Sequence, residues 1–331
     1  MNRLATALAL AVAAASLVAA AEPQDLKSLK GAVKIDGSST VYPIAEAVAE
    51  EFSNKAPGVK VTVGMSGTGG GFKRFGAGET DVANASRPIK QSEADACKAK
   101  GIEFVEIPVA FDGLTIVTNT GNDWAKQLTV EQVRKIFSAD GAAKTWKDVD
   151  PAWPADVIKV YSPGTDSGTF DYFKEVTVGK DGKIRSDISV SEDDNVLVRG
   201  VEGDKNAIGF FGYAYYQENK AKLRAIPVVN PKTKAAVLPS PKTIEDGSYA
   251  PYSRPLFIYV SKASLEKPAV AAYAAFAIDE GGELADEVGY VRLPAAMYDR
   301  ARANLAARKC GTQMIDGEGH ERHGALADLY K

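Results

Sequence analysis

"IEFVEIPVAFDGLTIVTN", Ile102 to Asn119, is the stretch that decides the fold. It is long, apolar and strand-rich, so it is a candidate to cross from one domain to another. A second run of the same kind, "RPLFIYVSK", follows at 254–262. Strands alternate with helical segments on both sides of each run, which argues for α/β layers. Two long strands so far apart read as a crossing into a second domain and a return from it. The expected fold is therefore α/β with two domains, a hinge and a cleft between them. The expected division is a leader at 1–21, a discontinuous first domain at 22–110 and 255–331, and an inserted domain at 111–254.

Around these crossings the local pattern is regular. Val33–Ile35 reads as a strand running into "DGSST", and Ala45, Val48, Ala49 and Phe52 then recur at helical spacing. "VKVTVGMS" alternates like a strand and feeds "GTGGGFKRFGAG". Thr129 with Gln132 forms a capping box that opens a helix. "VIKVYS" is a strand delivering the loop of "YSPGTDSGTFDYF", 161–173. The segments "SLEKPAVAAYAAFAIDEGG" and "LPAAMYDRARANLAARK" are helical, whereas 311–331 has no periodicity and is expected to be peripheral.

Composition narrows the function classes. The chain has 331 residues, 45% of them hydrophobic, enough for a sizeable core. Its formal net charge is −3, and no basic stripe or run suggests nucleic acid as a partner. "MNRLATALALAVAAASLVAAAEP" carries one positive residue, an apolar stretch and small residues ending in Ala19-x-Ala21, the pattern of a secretory signal peptide. Cleavage before Glu22 leaves a soluble exported chain with charge −4. Cys97 and Cys310 make an even pair in an oxidising compartment, so a disulfide is expected.

Three times a strand runs into a small-residue loop that opens a helix: Asp36-Gly37-Ser38-Ser39-Thr40, Ser66-Gly67-Thr68-Gly69-Gly70-Gly71, and Thr165-Asp166-Ser167-Gly168-Thr169. A helix start leaves N–H groups without partners and favours an anion. Glycines let the backbone come close, and hydroxyls add neutral donors. Any one loop is most often only a cap. Three, spread over both expected domains, fit a clamp on one oxyanion. The Gly-rich loop lacks the Gly-Lys-Ser/Thr ending of a nucleotide phosphate loop and the last glycine of a dinucleotide site.

Arg87 in "NASRPIK" is the expected cation, since a guanidinium fork matches two oxygens of a tetrahedral anion. Arg254 in "SRPLF" is the next candidate, because it sits at the return crossing. Asp166 is either a helix cap or the acceptor for the proton of hydrogen phosphate. Sulfate has no such proton, so an acceptor would refuse it. Asp36 has the same two readings. Enzyme chemistry finds little support: His320 and His323 lie in the aperiodic tail, away from Ser167, and a metal site built from them with Glu318 and Glu321 competes with a plain solvated tail.

These stretches together resemble the periplasmic phosphate-binding proteins of ABC importers, the PstS type. The resemblance is carried by "DGSSTVYPIAEAVAEEF", "GMSGTGGGFKRFGAGETDVANASRPIK", "SPGTDSGTFDYF", "EDDNVLV", "NAIGFFGYAYYQEN" and "SRPLFIYV". It implies a periplasmic binding protein fold that closes on dehydrated phosphate, without catalytic residues, cofactor or metal, working as a monomer with a membrane permease and its ATPase. By position, Thr40 and Val41, with Ser39, match the first contact loop; Thr68, beside Gly69, matches the second; Ser167, Gly168 and Thr169 match the third. In the best-known branch an aspartate stands where this chain has Arg87, and an arginine stands where it has Pro163. Another branch carries "SR" there. Sulfate, arsenate and molybdate remain alternative anions, and a phosphate-ester hydrolase a more remote one.

Overall fold

A computed structural model describes residues 25–331, apart from 142, 166, 180, 192 and 323. The expected leader, Asp166 and His323 therefore lie outside the described residues.

The first half of the fold is built by short-range alternation. Strand β1 (Gly31–Gly37) leads to helix α1 (Tyr42–Lys55), β2 (Val59–Val63), α2 (Gly67–Gly76), β3 (Val82–Ala85) and α3 (Gln91–Ala99). In α1 the predicted Ala45, Val48 and Phe52 are buried, Ile44 joins them, and the predicted Ala49 is only half-buried. Phe52 meets Tyr273 and Phe276 edge-on at 5.5 and 5.4 Å, which fixes α1 against a later helix.

The run at 102–119 forms one strand, β4 (Phe104–Asn119), buried along all but its last residue. A strand covered on both faces has no solvent side, so its sequence does not alternate. After it come α4 (Val130–Phe137), β5 (Lys159–Pro163), α5 (Gly168–Val178), β6 (Ser189–Ser191), α6 (Asp194–Glu202) and β7 (Ala207–Gly212). The Thr129 capping box is present, with Gln132 N–H donating to Thr129 Oγ1 at 3.1 Å and Thr129 N–H to Gln132 Oε1 at 3.0 Å. The return run forms β8 (Ser253–Ser261), followed by α7 (Pro268–Asp279).

These strands follow one path, β2-β1-β3-β8-β4-β7-β5-β6, in a ten-stranded sheet. Its two ends are parallel, β1 with β2 and β3, and β5 with β6 and β7. Its middle is antiparallel. The first part of β4 pairs with β8 from Phe104↔Ser261 to Gly113↔Ser253, and its last part pairs with β7 from Leu114↔Gly212 to Thr118↔Ile208. The strand thus changes partners at Gly113 and Leu114. Arg254 and Asp112 are directly opposed just before that change.

Two expectations need correction. Cys97 and Cys310 are both free thiols, not a disulfide. Cys97 is buried on α3, where burial pushes its thiol pKa up, while Cys310 is exposed and donates to the Arg308 carbonyl at 3.3 Å. The second correction concerns 311–331, which is not peripheral. Met314, Leu326 and Tyr330 are buried, and Tyr330 Oη donates to the Glu106 carbonyl at 3.0 Å. The buried Glu106 carboxylate accepts from Gln313 N–H and from Tyr259 Oη, both at 2.9 Å. Burial raises the Glu106 pKa, against the pull of those bonds. The segment packs through isolated contacts rather than a repeating face, so it leaves no periodic trace.

Candidate functional site

The first two loops are locked together by backbone contact. Gly37 has φ +147°, and a Cβ there would lie 2.1 Å from the Asn84 carbonyl oxygen. A Cβ on Gly71 would lie 2.5 Å from Gly37 Cα. Only glycine lets β1, the end of β3 and the start of α2 approach this closely. Buried Asp36 joins the same two loops. Its Oδ1 accepts from Gly37 N–H at 2.8 Å and Ser66 N–H at 3.0 Å, and its Oδ2 pairs with Arg74. That makes Asp36 a positioning residue for both loops.

The hydroxyls in these loops are not helix caps. The N-caps of α1 and α2 are Val41 and Ser66, and neither makes a side-chain cap bond. Only in the third loop does a cap form, where Ser167 accepts from Phe170 N–H at 3.4 Å. Thr68 Oγ1 lies 3.1 Å from Ser86 Oγ and accepts from Ser86 N–H at 3.2 Å. Ser39 is hydrogen-bonded to Asp171 on α5, a carboxyl whose pKa burial raises while nearby Lys174 and Arg254 pull it down. Loop one is therefore joined to the third loop's helix through a polar contact. Val41 is fully buried in the core, and Gly69 is exposed with open space around its Cα.

Arg254 is the cation at the centre. Its Nη2 donates to Thr40 Oγ1 at 3.0 Å, and both Nε and Nη2 reach Asp112 Oδ2 at 3.3 Å. Its guanidinium lies 3.7 Å from the centre of the Tyr172 ring, a close cation–π contact. The Arg254 side chain is 14% exposed and that of Asp112 only 3%. Burial raises the Asp112 pKa, and the Arg254 charge and hydrogen bonds oppose the rise. Tyr290 Oη donates to the Thr40 carbonyl at 2.6 Å and closes the loop from another side. Three segments distant in sequence, at Thr40, Asp112 and Tyr172, thus meet on one guanidinium.

Arg87, the expected cation, is engaged elsewhere. Nη1 and Nη2 bond the two Glu93 oxygens at 2.9 and 2.8 Å, and Nη1 also donates to the Pro88 carbonyl at 3.0 Å. Its fork is filled by a carboxylate six residues away on the first turn of α3.

Two cavities flank the Arg254 region. One, of about 350 Å³, brings together Ser39, Ser167 and Thr169 from the expected loops with Asp112, Asp194 and Tyr290. The other, of about 760 Å³, is lined by Arg254, Tyr172, Ser86 and Arg87, and by residues of the C-terminal segment such as Leu326. The structure thus gathers the first and third loops on one cavity, and puts Thr68, through Ser86, beside the other. Sequence alone does not single out Asp112, Tyr172, Asp171 or Tyr290. A signal existed for Asp112, the lone charge in "IPVAFDGLTIV". His320 is exposed on the tail, its Nδ1 3.7 Å from carboxylate oxygens of Asp316 and Glu318. Among the described residues no group of three or more His, Cys, Asp or Glu has the arrangement to hold a metal ion.

Known proteins share this architecture. The profile of the PBP superfamily domain matches residues 18–280. Protein SphX of Synechococcus elongatus is 48% identical over 314 residues, 94% of this chain and 91% of its own length. Phosphate-binding protein PstS of Staphylococcus haemolyticus is 42% identical over 275 residues, 82% of this chain and 84% of its own. The crystal structure of a possible phosphate binding protein from Planctomyces limnophilus superposes with a TM-score of 0.82 at 49% identity, over 85% of this chain and 100% of that one. By these similarities, which run through both halves of the sheet, the chain belongs to the PBP superfamily, with the α/β periplasmic binding protein fold, and to the family of PstS and SphX.

Proposed function

We propose that this protein is an exported receptor that captures inorganic phosphate in a cleft between two lobes and delivers it to an ABC importer. The observation that carries the reading is Arg254, bonded to Thr40 and to Asp112, which lines a cavity together with Ser39, Ser167 and Thr169. One guanidinium, uncapped helix starts and neutral hydroxyls suit a tetrahedral oxyanion, which needs many donors and little net positive charge. The names of the relatives, PstS among them, support phosphate as that anion. Arg254 takes the role of cationic ligand in this reading. Ser39, Thr40, Thr68, Ser167, Gly168 and Thr169 supply hydroxyl and backbone donors. Arg87, held by Glu93, supports the loop after β3.

The lobes are 22–110 with 255–331, and 111–254, joined by β4 and β8. Closing them on the anion excludes water and strengthens each hydrogen bond. The mature protein works in the periplasm as a soluble monomer after loss of 1–21, with a permease and its ATPase as partners. Its role is capture and delivery; it is a receptor and not an enzyme.

Calorimetric titration of the protein, stripped of bound anion, tests the reading with phosphate, arsenate, sulfate and molybdate. One phosphate per chain and a raised melting temperature are expected, because the ligand binds the native state only. Neither heat nor a melting shift at millimolar phosphate rejects it.

A further inference from the structure

We propose that Tyr259 is a positioning residue for the anion site: its hydroxyl and its ring hold the Thr68–Ser86 pair in place, and Glu106 ties that hold to the C-terminal segment. The inference rests on the oxyanion-receptor reading above, in which Thr68 is a donor, and adds a residue that acts on the site from within the core.

Tyr259 is fully buried on β8, directly opposite Ala83 of β3 on one side and Glu106 of β4 on the other. Its hydroxyl accepts from Ile89 N–H at 2.9 Å and donates to Glu106 Oε2 at 2.9 Å. Ile89 is buried and lies three residues beyond Ser86, so this bond pins the chain just past the site loop. The Tyr259 ring meets Phe72 edge-on at 4.9 Å. Phe72 lies four residues beyond Thr68 on α2, about one turn along the same helix face. Thr68 and Ser86 are bonded to each other. One side chain therefore braces both halves of the pair. Glu106 also accepts from Gln313 N–H and from the Thr312 hydroxyl, so it orients Tyr259 as a donor and leaves the phenol oxygen to Ile89. The C-terminal segment and the site loop are thus two hydrogen-bonded side chains apart.

The Arg87–Glu93 pair restrains the same loop in a weaker way. Its side chains are 28% and 20% exposed, so water takes over the hydrogen bonds when one partner is removed. The buried Ile89 N–H has no such substitute for the Tyr259 oxygen. Without that oxygen the loop samples other positions, and an arriving anion has to restore the bound one. Apparent affinity then falls by the fraction of molecules that have the loop in place.

The test is calorimetric titration with phosphate, paired with urea unfolding and amide hydrogen exchange, of the wild type, Tyr259→Phe and Tyr330→Phe. Tyr330 is the control, a second buried tyrosine whose hydroxyl donates to the Glu106 carbonyl and not to the loop. Each variant loses one buried hydroxyl, and both should lower the urea midpoint by similar amounts. Only Tyr259→Phe should weaken phosphate, by about tenfold, and speed exchange at the Ile89 amide until phosphate is added. In a Thr68→Val background the further loss from Tyr259→Phe should be under about twofold, because the pair it positions is gone. Unchanged affinity in Tyr259→Phe, an equal loss in both tyrosine variants, or full additivity with Thr68→Val overturns the proposal. Should Tyr259→Phe fail to fold, Phe72→Leu tests the ring contact in its place: weakened phosphate supports the proposal and unchanged affinity overturns it. A wild type that binds no phosphate defeats the receptor reading instead. Exchange at Ile89 then decides the hold on the loop by itself, faster in Tyr259→Phe if the hold exists and unchanged if it does not.

Discussion

Two arginines compete for one role, and their partners decide between them. Arg87 bonds both oxygens of Glu93, whereas Arg254 bonds Thr40 and shares a single oxygen of Asp112. A guanidinium with both terminal nitrogens on a carboxylate has little left for a ligand. Arg254→Ala should therefore cost about 2–3 kcal/mol of phosphate affinity, some tens to more than a hundredfold. Arg254→Lys should fall between, since an ammonium keeps the charge beside Asp112 but loses the fork. Arg87→Ala should leave affinity within a fewfold of the wild type while lowering the melting temperature, because it removes the paired hydrogen bonds to Glu93, which keeps only the Lys90 N–H. Titration paired with thermal melts checks all three. A large affinity loss in Arg87→Ala with Arg254→Ala unaffected reverses the assignment.

At the scale of elements, glycine matters where backbones touch. Gly37 and Gly69 look alike in the sequence, each part of a small-residue loop. Gly37 is pinned at φ +147° against the Asn84 carbonyl, while Gly69 is helical with nothing within 4 Å of where its Cβ would be. Gly37→Ala meets backbone strain and a backbone clash together, and should destabilise by about 2–4 kcal/mol. Gly69→Ala should be neutral or stabilise by up to about 1 kcal/mol through helix propensity. Urea unfolding without added anion measures both. Equal effects from the two substitutions reject the close-packed account of the first loop. The helix caps follow the same division. The Thr129 box was legible because both partners lie within one turn. The hydroxyls of Thr40 and Thr68 fit the cap pattern equally well, yet their partners are Arg254 and Ser86.

At the scale of the molecule, the C-terminal segment closes the core beneath β4. Tyr330 is fully buried, with its hydroxyl on the Glu106 carbonyl, and Arg300 Nη1 holds the Tyr330 carbonyl at 3.0 Å. Tyr330→Ala should cost about 3–5 kcal/mol, as for other large aromatics removed from a core. Tyr330→Phe should cost only about 1 kcal/mol, the loss of one hydrogen bond. Denaturant midpoints at constant slope give both values. A change below 1 kcal/mol in the alanine variant would mean that the segment is as dispensable as its aperiodic sequence suggests.

What the sequence determined by itself was everything set within a few residues. The α1 face, the Thr129 capping box, the strands that feed the Gly-rich loops and the long runs at 102–119 and 254–262 are all local patterns. Helix period, strand extension and turn chemistry act over one or two turns of chain, so composition and spacing reveal them. The tertiary structure alone decided which charges meet. Arg254 reaches Asp112 because β8 lies antiparallel to β4 with these two residues directly opposed, beyond a register shift at Leu256 and Phe257. Arg87, equally basic and equally close to a loop, finds Glu93 first. The same holds for the two cysteines, an even pair on paper, one buried and one exposed in the fold. Pairing across long separations depends on register and burial, and a linear pattern carries neither.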